Sequence, residues 1–209
     1  MEYLDFEAPI TELDQRIKEF EEWSAKTGID VSDDIKKLQL LRERTSAEIY
    51  RNLKPWEKVQ IARHPGRPDA LDYIDLHVDN CFGDDKEIVT GLARLQKFKV
   101  MIIAQSKGRT TQERIERNFG CPHPEGYRKA MAKMRLAEKF GLPIITFVNT
   151  PGAYPGIEAE ERGQAFVIAQ NLFEMSQLRV PIVTIIIGEG GSGGALAVSV
   201  ANRIAILEN

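Results

Sequence analysis

The chain has 209 residues, room for one sizeable domain and an appendage, and its 43% hydrophobic and 28% charged content is that of a globular protein rather than a disordered one. A formal net charge of −3 gives no general attraction to nucleic acid, so any anion site has to be local. Cys81 and Cys121 are too few for a disulfide framework, and no apolar run approaches the roughly 20 residues of a membrane helix.

The start, Met1 to Glu7, is acidic and has no basic, apolar signal pattern, so the expected compartment is the cytoplasm. Residues 1–54 read as a helical hairpin. Thr11-Glu-Leu-Asp14 resembles a capping box, and Ile10, Leu13, Ile17 and Phe20 then recur at three- and four-residue spacing. Thr27 to Ser32 breaks that helix. A second starts near Asp33, places Asp33 and Asp34 at its positive end, and carries Ile35, Leu38, Leu41 and Ile49. Charged outer faces suit a solvated surface hairpin; a partner-binding arm is the alternative.

Residues 55–86 are proline-rich and read as an irregular connector. His64 sits there in a rigid loop, as a structural histidine or a general base. Asp84-Asp85-Lys86 reads as a solvated turn before a strand rather than a metal site.

From residue 87 the pattern becomes α/β. Ile88–Leu95 and Val100–Ala104 form an antiparallel entry. Lys107 and Arg109 follow as candidate phosphate contacts, and Arg114 and Arg117, three apart, would share a helix face. Cys121 and His123 lack the second pair that a zinc site needs. Helix Glu125–Phe140 buries Ala130, Met131, Met134, Ala137 and Phe140; Lys133 is mid-helix, unlike a biotin-acceptor lysine on a hairpin tip. Strand Pro143–Val148 ends in turn 150–156. Helix Glu160–Leu178 follows, with Ala165, Ile168, Ala169, Leu172 and Met175 inward. Strand Ile182–Ile187, apolar enough to be buried on both faces, empties into Gly188-Glu-Gly-Gly-Ser-Gly-Gly194; a helix, Ala195–Ala201, and a last strand, Arg203–Leu207, complete the pattern. Successive strand, turn and helix units imply parallel strands with right-handed crossovers. Turns 150–156 and 188–194 then lie at the carboxyl ends of parallel strands, where both can face one site. The abrupt end after an apolar strand suggests a covering partner or a longer chain.

The glycine turn admits three readings. Gly188, Gly190 and Gly193 match a dinucleotide fingerprint, with Glu208 where a ribose-binding acid would sit, although long α/β sequence precedes this strand. Gly190, Ser192 and Gly194 match a nucleophile elbow, although His64, His77 and His123 all precede Ser192. The third reading is an oxyanion hole of main-chain N–H groups at a helix start, with no side-chain nucleophile.

Thr150-Pro-Gly-Ala-Tyr-Pro-Gly156, Glu160-Glu-Arg-Gly-Gln164 and Gly188 to Ala197 resemble the α subunit of the carboxyltransferase of multi-subunit bacterial and plastid acetyl-CoA carboxylase. Tyr3 to Glu7, Ala62 to Pro65, Leu71 to Tyr73, Lys107 to Arg109, Arg117 to Gly120 and Pro124 to Lys129 extend the likeness along the chain. The resemblance implies a crotonase-like spiral of ββα units over residues 87–209, lacking roughly the last third of the family's length, after an N-terminal hairpin. It implies transfer of a carboxyl group from carboxybiotin, carried on a separate carrier protein, to acetyl-CoA, giving malonyl-CoA for fatty acid synthesis. It implies as partners a zinc-bearing β subunit in an α2β2 assembly, the biotin carboxyl carrier protein and biotin carboxylase, with no metal on this chain, in cytoplasm or plastid stroma. Mapped here, N–H groups among Gly190, Gly191, Gly193 and Gly194, above all the last two, stabilise the biotin ureido oxyanion. Pro151, Gly152, Ala153, Tyr154, Gly156 and Ser192 shape the adjoining wall, and no enzyme base is needed.

Overall fold

The computed structural model describes residues 3–73 and 84–208, so the expectations attached to His77 and Cys81 lie outside the described residues. The chain divides into two compact units, Met1–Gly66 and Arg67–Asn209.

In the first unit, helix α1 spans Ala8–Thr27 and α2 spans Ser32–Arg51. The predicted capping box does not start α1. Pro9 occupies the opening turn, where a missing N–H costs nothing, and Thr11 instead donates its hydroxyl to the Glu7 carbonyl at 3.3 Å. Gly28 ends the helix in the left-handed conformation that glycine adopts freely. Ile10 and Leu13 are buried, but Phe20 and Leu41 are exposed. Beside Leu41, Arg42 instead turns toward α1 and meets Asp14 at 2.6 Å. Residues Pro55–Arg63 form helix α3 where an irregular connector was expected, because Pro55 fits a first helical turn and Glu57 accepts the Lys54 N–H at 2.7 Å.

The second unit opens on a short helix, α4 (Ala70–Tyr73), and is built on one sheet of five described strands in the order β1-β2-β3-β4-β5. Strands β1 (Ile88–Leu95) and β2 (Phe98–Gln105) are antiparallel, as predicted, and turn at Gln96, whose φ is +53°. Strands β3 (Ile144–Thr150), β4 (Ile182–Gly190) and β5 (Arg203–Ile206) then add in parallel. The β2–β3 connection holds α5 (Thr111–Glu116) and α6 (Pro124–Lys139); α7 (Ile157–Glu161) and α8 (Gln164–Met175) link β3 to β4, and α9 (Ser192–Leu196) links β4 to β5. The α/β class and the unit order match the expected spiral.

Ile88, Met101, Ile103, Ile144, Val148 and Ile182 pack with Tyr127, Met131 and Met134 of α6 and Val167 and Met175 of α8. The opposite sheet face is more thinly covered, so β4 is not buried on both faces: Val183 is exposed. Phe140 is exposed too, because α6 ends at Lys139 and Phe140 only caps it.

The single predicted helix 160–178 is two. Gly163 at φ +84° breaks it, and the inward face of α8 is Gln164, Val167, Asn171 and Met175, with Ala165 and Ala169 exposed. An apolar count misplaces this face because two of its inward residues are amides. Asn171 Nδ2 donates to Tyr127 O at 3.0 Å and to Ala197 O at 3.2 Å, satisfying carbonyls of two other elements. Replacing Asn171 by Leu removes both bonds and leaves the Ala197 carbonyl without a donor, at about 1–3 kcal/mol for a buried group left unpaired; the urea midpoint is expected to fall accordingly, with secondary structure unchanged by circular dichroism.

Candidate functional site

Strands β3 and β4 end side by side, with Thr150 opposite Gly190. Their turns therefore meet. The Gly191 N–H donates to Thr150 O at 2.8 Å. A Cβ on Gly191 would overlap the Pro151 carbonyl, and one on Gly194 would overlap the Gly152–Ala153 backbone. Only glycine fits at those two positions, whatever else the turn does. A Cβ on Gly193 would lie 3.4 Å from Ile168, an ordinary contact.

Helix α9 begins at Ser192, not Ala195, and has five residues instead of the expected seven, because the chain turns away at residues 197–199. Ser192 takes φ +54°, a left-handed conformation unusual for a residue with a side chain. The first main-chain bonds of this segment are Ala195 N–H to Gly191 O at 3.1 Å and Ala197 N–H to Gly193 O at 3.0 Å. The N–H groups of Ser192, Gly193 and Gly194 find no acceptor among the described residues. Of the four glycines expected to donate, Gly190 lies within β4 in register with Thr150 and Gly191 is committed to Thr150 O; Gly193 and Gly194 remain.

The facing turn is held rigidly. The buried Thr150 hydroxyl donates to Gly120 O at 2.6 Å and accepts the Gly152 N–H at 3.0 Å. Tyr154 N–H donates to Pro122 O at 3.1 Å, and Gln164 Nε2 donates to Pro122 O at 2.9 Å and Tyr154 O at 3.1 Å. The Tyr154 ring lies on His123, centroids 4.1 Å apart. Gly156 accommodates Tyr154 and Glu158 of its own loop, so of the six wall residues it and Tyr154 stand apart from the contact between the turns. Pro151, Gly152, Ala153 and Ser192 come together at the junction of the turns.

The basic residues behave differently from expectation. Lys107 pairs with Glu189 inside the glycine turn, and Arg109 pairs with Asp72. Arg114 Nε reaches Gly108 O at 3.4 Å and Arg117 donates to Lys86 O, so these two do not form an open phosphate face. Arg117 lies beyond the end of α5, which removes the shared helix face. Asp85 is buried rather than solvated: it accepts the Glu87 N–H at 2.8 Å and the His123 N–H at 2.9 Å, tying β1 to the start of α6. Among the described residues no three His, Cys, Asp or Glu side chains cluster as metal ligands.

Sequence reading missed the support beneath the turns. Gln105, at the end of β2, donates Nε2 to Gly194 O at 3.2 Å and accepts the Asn149 N–H at 3.2 Å. The Tyr127 hydroxyl donates to the same Gly194 O at 3.3 Å. Asn149 Oδ1 accepts the Glu189 N–H at 3.1 Å. The available signal was a lone amide closing an otherwise apolar strand. Glu87 was missed as well; it is fully buried and neither carboxyl oxygen has a partner among the described residues. Burial, reinforced by Asp85 and Asp69, pushes its pKa well above the usual carboxyl range.

Two readings of the glycine turn lose their context. A dinucleotide turn opens a domain's first strand and a full helix, whereas this one follows the fourth of the described strands and opens a helix of five residues. Ser192 makes no bond to a histidine among the described residues, so no elbow triad is assembled among them; His77 lies outside them.

A family model described as acetyl co-enzyme A carboxylase carboxyltransferase-like matches residues 3–209. The acetyl-coenzyme A carboxylase carboxyl transferase subunit alpha of a Thermus thermophilus strain is 56% identical over 99% of this chain and 68% of its own length. That of Anoxybacillus flavithermus is 53% identical over 99% of this chain and 66% of its own. The chain thus spans about two thirds of the length of these relatives. Among solved structures, transcarboxylase 12S with methylmalonyl-coenzyme A and methylmalonic acid bound aligns over 75% of this chain and 30% of its own, with TM-score 0.56 at 23% identity, a likeness of fold.

Two outcomes are expected from this geometry. Gly191→Ala or Gly194→Ala forces the turns apart and costs about 1–3 kcal/mol by overpacking, read as a lowered thermal midpoint, whereas Gly193→Ala leaves it within error. Because folding raises the Glu87 pKa, the native state holds the proton that the unfolded chain releases, and this contribution to stability is lost as pH rises above the ordinary glutamate value. Glu87→Gln is therefore expected to gain stability relative to the parent between pH 5 and pH 8, measured by urea unfolding across that range.

Proposed function

The chain belongs to the acetyl-coenzyme A carboxylase carboxyltransferase α-subunit family, and from that premise we propose that it supplies one half of a site that moves a carboxyl group from carboxybiotin to acetyl-CoA, giving malonyl-CoA. The observation that carries this reading is the interlocked pair of turns, 150–156 and 188–194, which leaves the Gly193 and Gly194 N–H groups without acceptors at a rigid junction. Main-chain donors held in place stabilise charge that develops during reaction without reorganising.

Carboxybiotin fits such a junction on chemical grounds: its ureido oxygen is an acceptor, and the junction offers main-chain donors, while the nearby Glu189 carboxylate is paired with Lys107. When bound, it supplies the activated carboxyl group and a ureido oxygen that takes up negative charge. The chain's own share is orientation and stabilisation. Gly193 and Gly194 N–H groups hold the oxygen; Pro151, Gly152, Ala153, Tyr154 and Ser192 form the wall beside it, with Thr150 and Gln164 fixing that wall. Lys107, half-buried against Glu189, keeps the glycine turn anchored rather than reaching for a phosphate. The acyl thioester, the zinc and the rest of the site are assigned to a β subunit, in an α2β2 assembly served by a biotin carboxyl carrier protein and biotin carboxylase. The pathway served is fatty acid synthesis, in cytoplasm or plastid stroma; among the described residues no helix is long and apolar enough to cross a membrane.

The test deletes one donor. Proline at position 193 has no N–H, but it strains the preceding Ser192, which sits at φ +54°, so retention of the fold is read by circular dichroism. Gly193→Pro, assembled with the partner subunit, is expected to lose about 10²–10³ in malonyl-CoA formation, while Gly193→Ala, which keeps the N–H, stays within a few-fold of the parent. Full turnover by a folded Gly193→Pro protein would remove the oxyanion assignment.

A further inference from the structure

Glycines have no side chains to pack, so the attitude of a glycine turn is set through its main-chain polar groups. In this turn the Gly191 carbonyl is taken by Ala195 and the Gly193 carbonyl by Ala197, both bonds within the segment itself. The Gly194 carbonyl is different. Two side chains from separate elements converge on it, Gln105 Nε2 from the end of β2 at 3.2 Å and the Tyr127 hydroxyl from α6 at 3.3 Å. Both side chains are fully buried. Each could have been an apolar core residue; instead each directs its polar group to one peptide of the turn.

The amide of Gln105 is fixed from both ends. Its Oε1 accepts the Asn149 N–H at 3.2 Å, so the amide cannot flip without losing both partners. Asn149 in turn accepts the Glu189 N–H on its Oδ1 at 3.1 Å. One connected set of bonds thus runs from the last residues of β3, through β2, to both ends of turn 188–194. It reaches the residue whose own N–H is one of the two remaining donors. Small displacements of an oriented donor are costly, about 10²-fold in rate for 1 Å.

We propose that Gln105 and Tyr127 are positioning residues of the carboxyl transfer: by clamping the Gly194 carbonyl from two sides they aim the Gly193 and Gly194 N–H groups. This rests on the oxyanion reading of those glycines. Neither side chain needs to touch a substrate; both act through the turn. Two donors on one acceptor also predict redundancy. Either alone holds the carbonyl, and loss of both frees it.

The experiment uses the chain assembled with its partner subunit and compares Tyr127→Phe, Gln105→Met and the double variant, all close in volume to the parent. Each single change is expected to lower kcat about threefold, and the double change about thirtyfold or more, with KM for acetyl-CoA within about twofold. Hydrogen exchange of the folded chain is read in parallel, since it needs no turnover. In the double variant, exchange in segment 191–197 is expected to rise about tenfold, with α6 and α8 unchanged. Parent-like kcat in the double variant, or exchange that rises equally in α6, α8 and the turn, overturns the inference and leaves the two residues as core filling. Gly193→Pro separates the two levels. If it is inactive while the double variant turns over normally, the clamp alone is wrong; if it is fully active, the oxyanion reading and the clamp fall together.

Discussion

The second unit turns on a backbone-to-backbone contact. Strands β3 and β4 deliver two loops to the same place, and the loops pack so closely that a single methyl at Gly191 or Gly194 would occupy space held by the Pro151 carbonyl or the Gly152–Ala153 backbone. No side chain intervenes to adjust the fit. The position of each loop is therefore dictated by the other, and the unpaired amides beside the contact inherit that rigidity. A turn rich in glycine is usually soft; this one is stiff because another backbone fills the room that glycine leaves.

Such a contact has to be supported from below, and the support is polar. The core between the sheet and helices α6 and α8 is apolar across most of its extent, but under the turns it changes to Gln105, Asn149, Thr150, Gln164, Asn171 and Tyr127, all buried. Buried amides are favourable only when bonded, and those of Gln105 and Asn171 are each bonded twice to main-chain groups. Three groups depart from this among the described residues: Gln164 Oε1 and the Thr90 hydroxyl are buried without a partner, and Glu87 is a carboxyl enclosed without one and held toward its neutral form. The fold thus accepts local electrostatic cost in the same region where it gains orientation.

Much of this was legible in the residues. Periodicity located the hairpin helices, and the β-branched runs located all five described strands, because both patterns record which face meets a core. The glycine spacing and Thr150 to Gly156 marked the site for the same reason that they form it: few sequences let two backbones touch. What remained hidden was of one kind. The inward face of α8 was misread because Gln164 and Asn171 are buried for their hydrogen bonds, which hydropathy does not register. Asp85 was read as solvated because adjacent carboxylates usually are, whereas its partners, Glu87 N–H and His123 N–H, are main-chain groups with no sequence signature. The sequence offers Lys107 and Arg109 as candidate phosphate contacts, and Arg114 and Arg117 as either a phosphate face or a plain charged surface, because the acceptors they meet, in Glu189, Asp72, Gly108 and Lys86, come from elsewhere in the chain. Long-range polar pairing was the unreadable part.

Cys121 sits between two carbonyls that hold the wall of the site, those of Gly120 and Pro122. It is half-buried, and that burial pushes its thiol pKa upward. The reactive form of cysteine is the thiolate, so at neutral pH this sulfur is a poor target for peroxide or alkylating reagents. A bulky or charged adduct here would pry apart the strap that Thr150 and Tyr154 depend on. Burial thus lowers the thiolate fraction of the one sulfur set into that strap, and with it the reactivity of the strap toward oxidants.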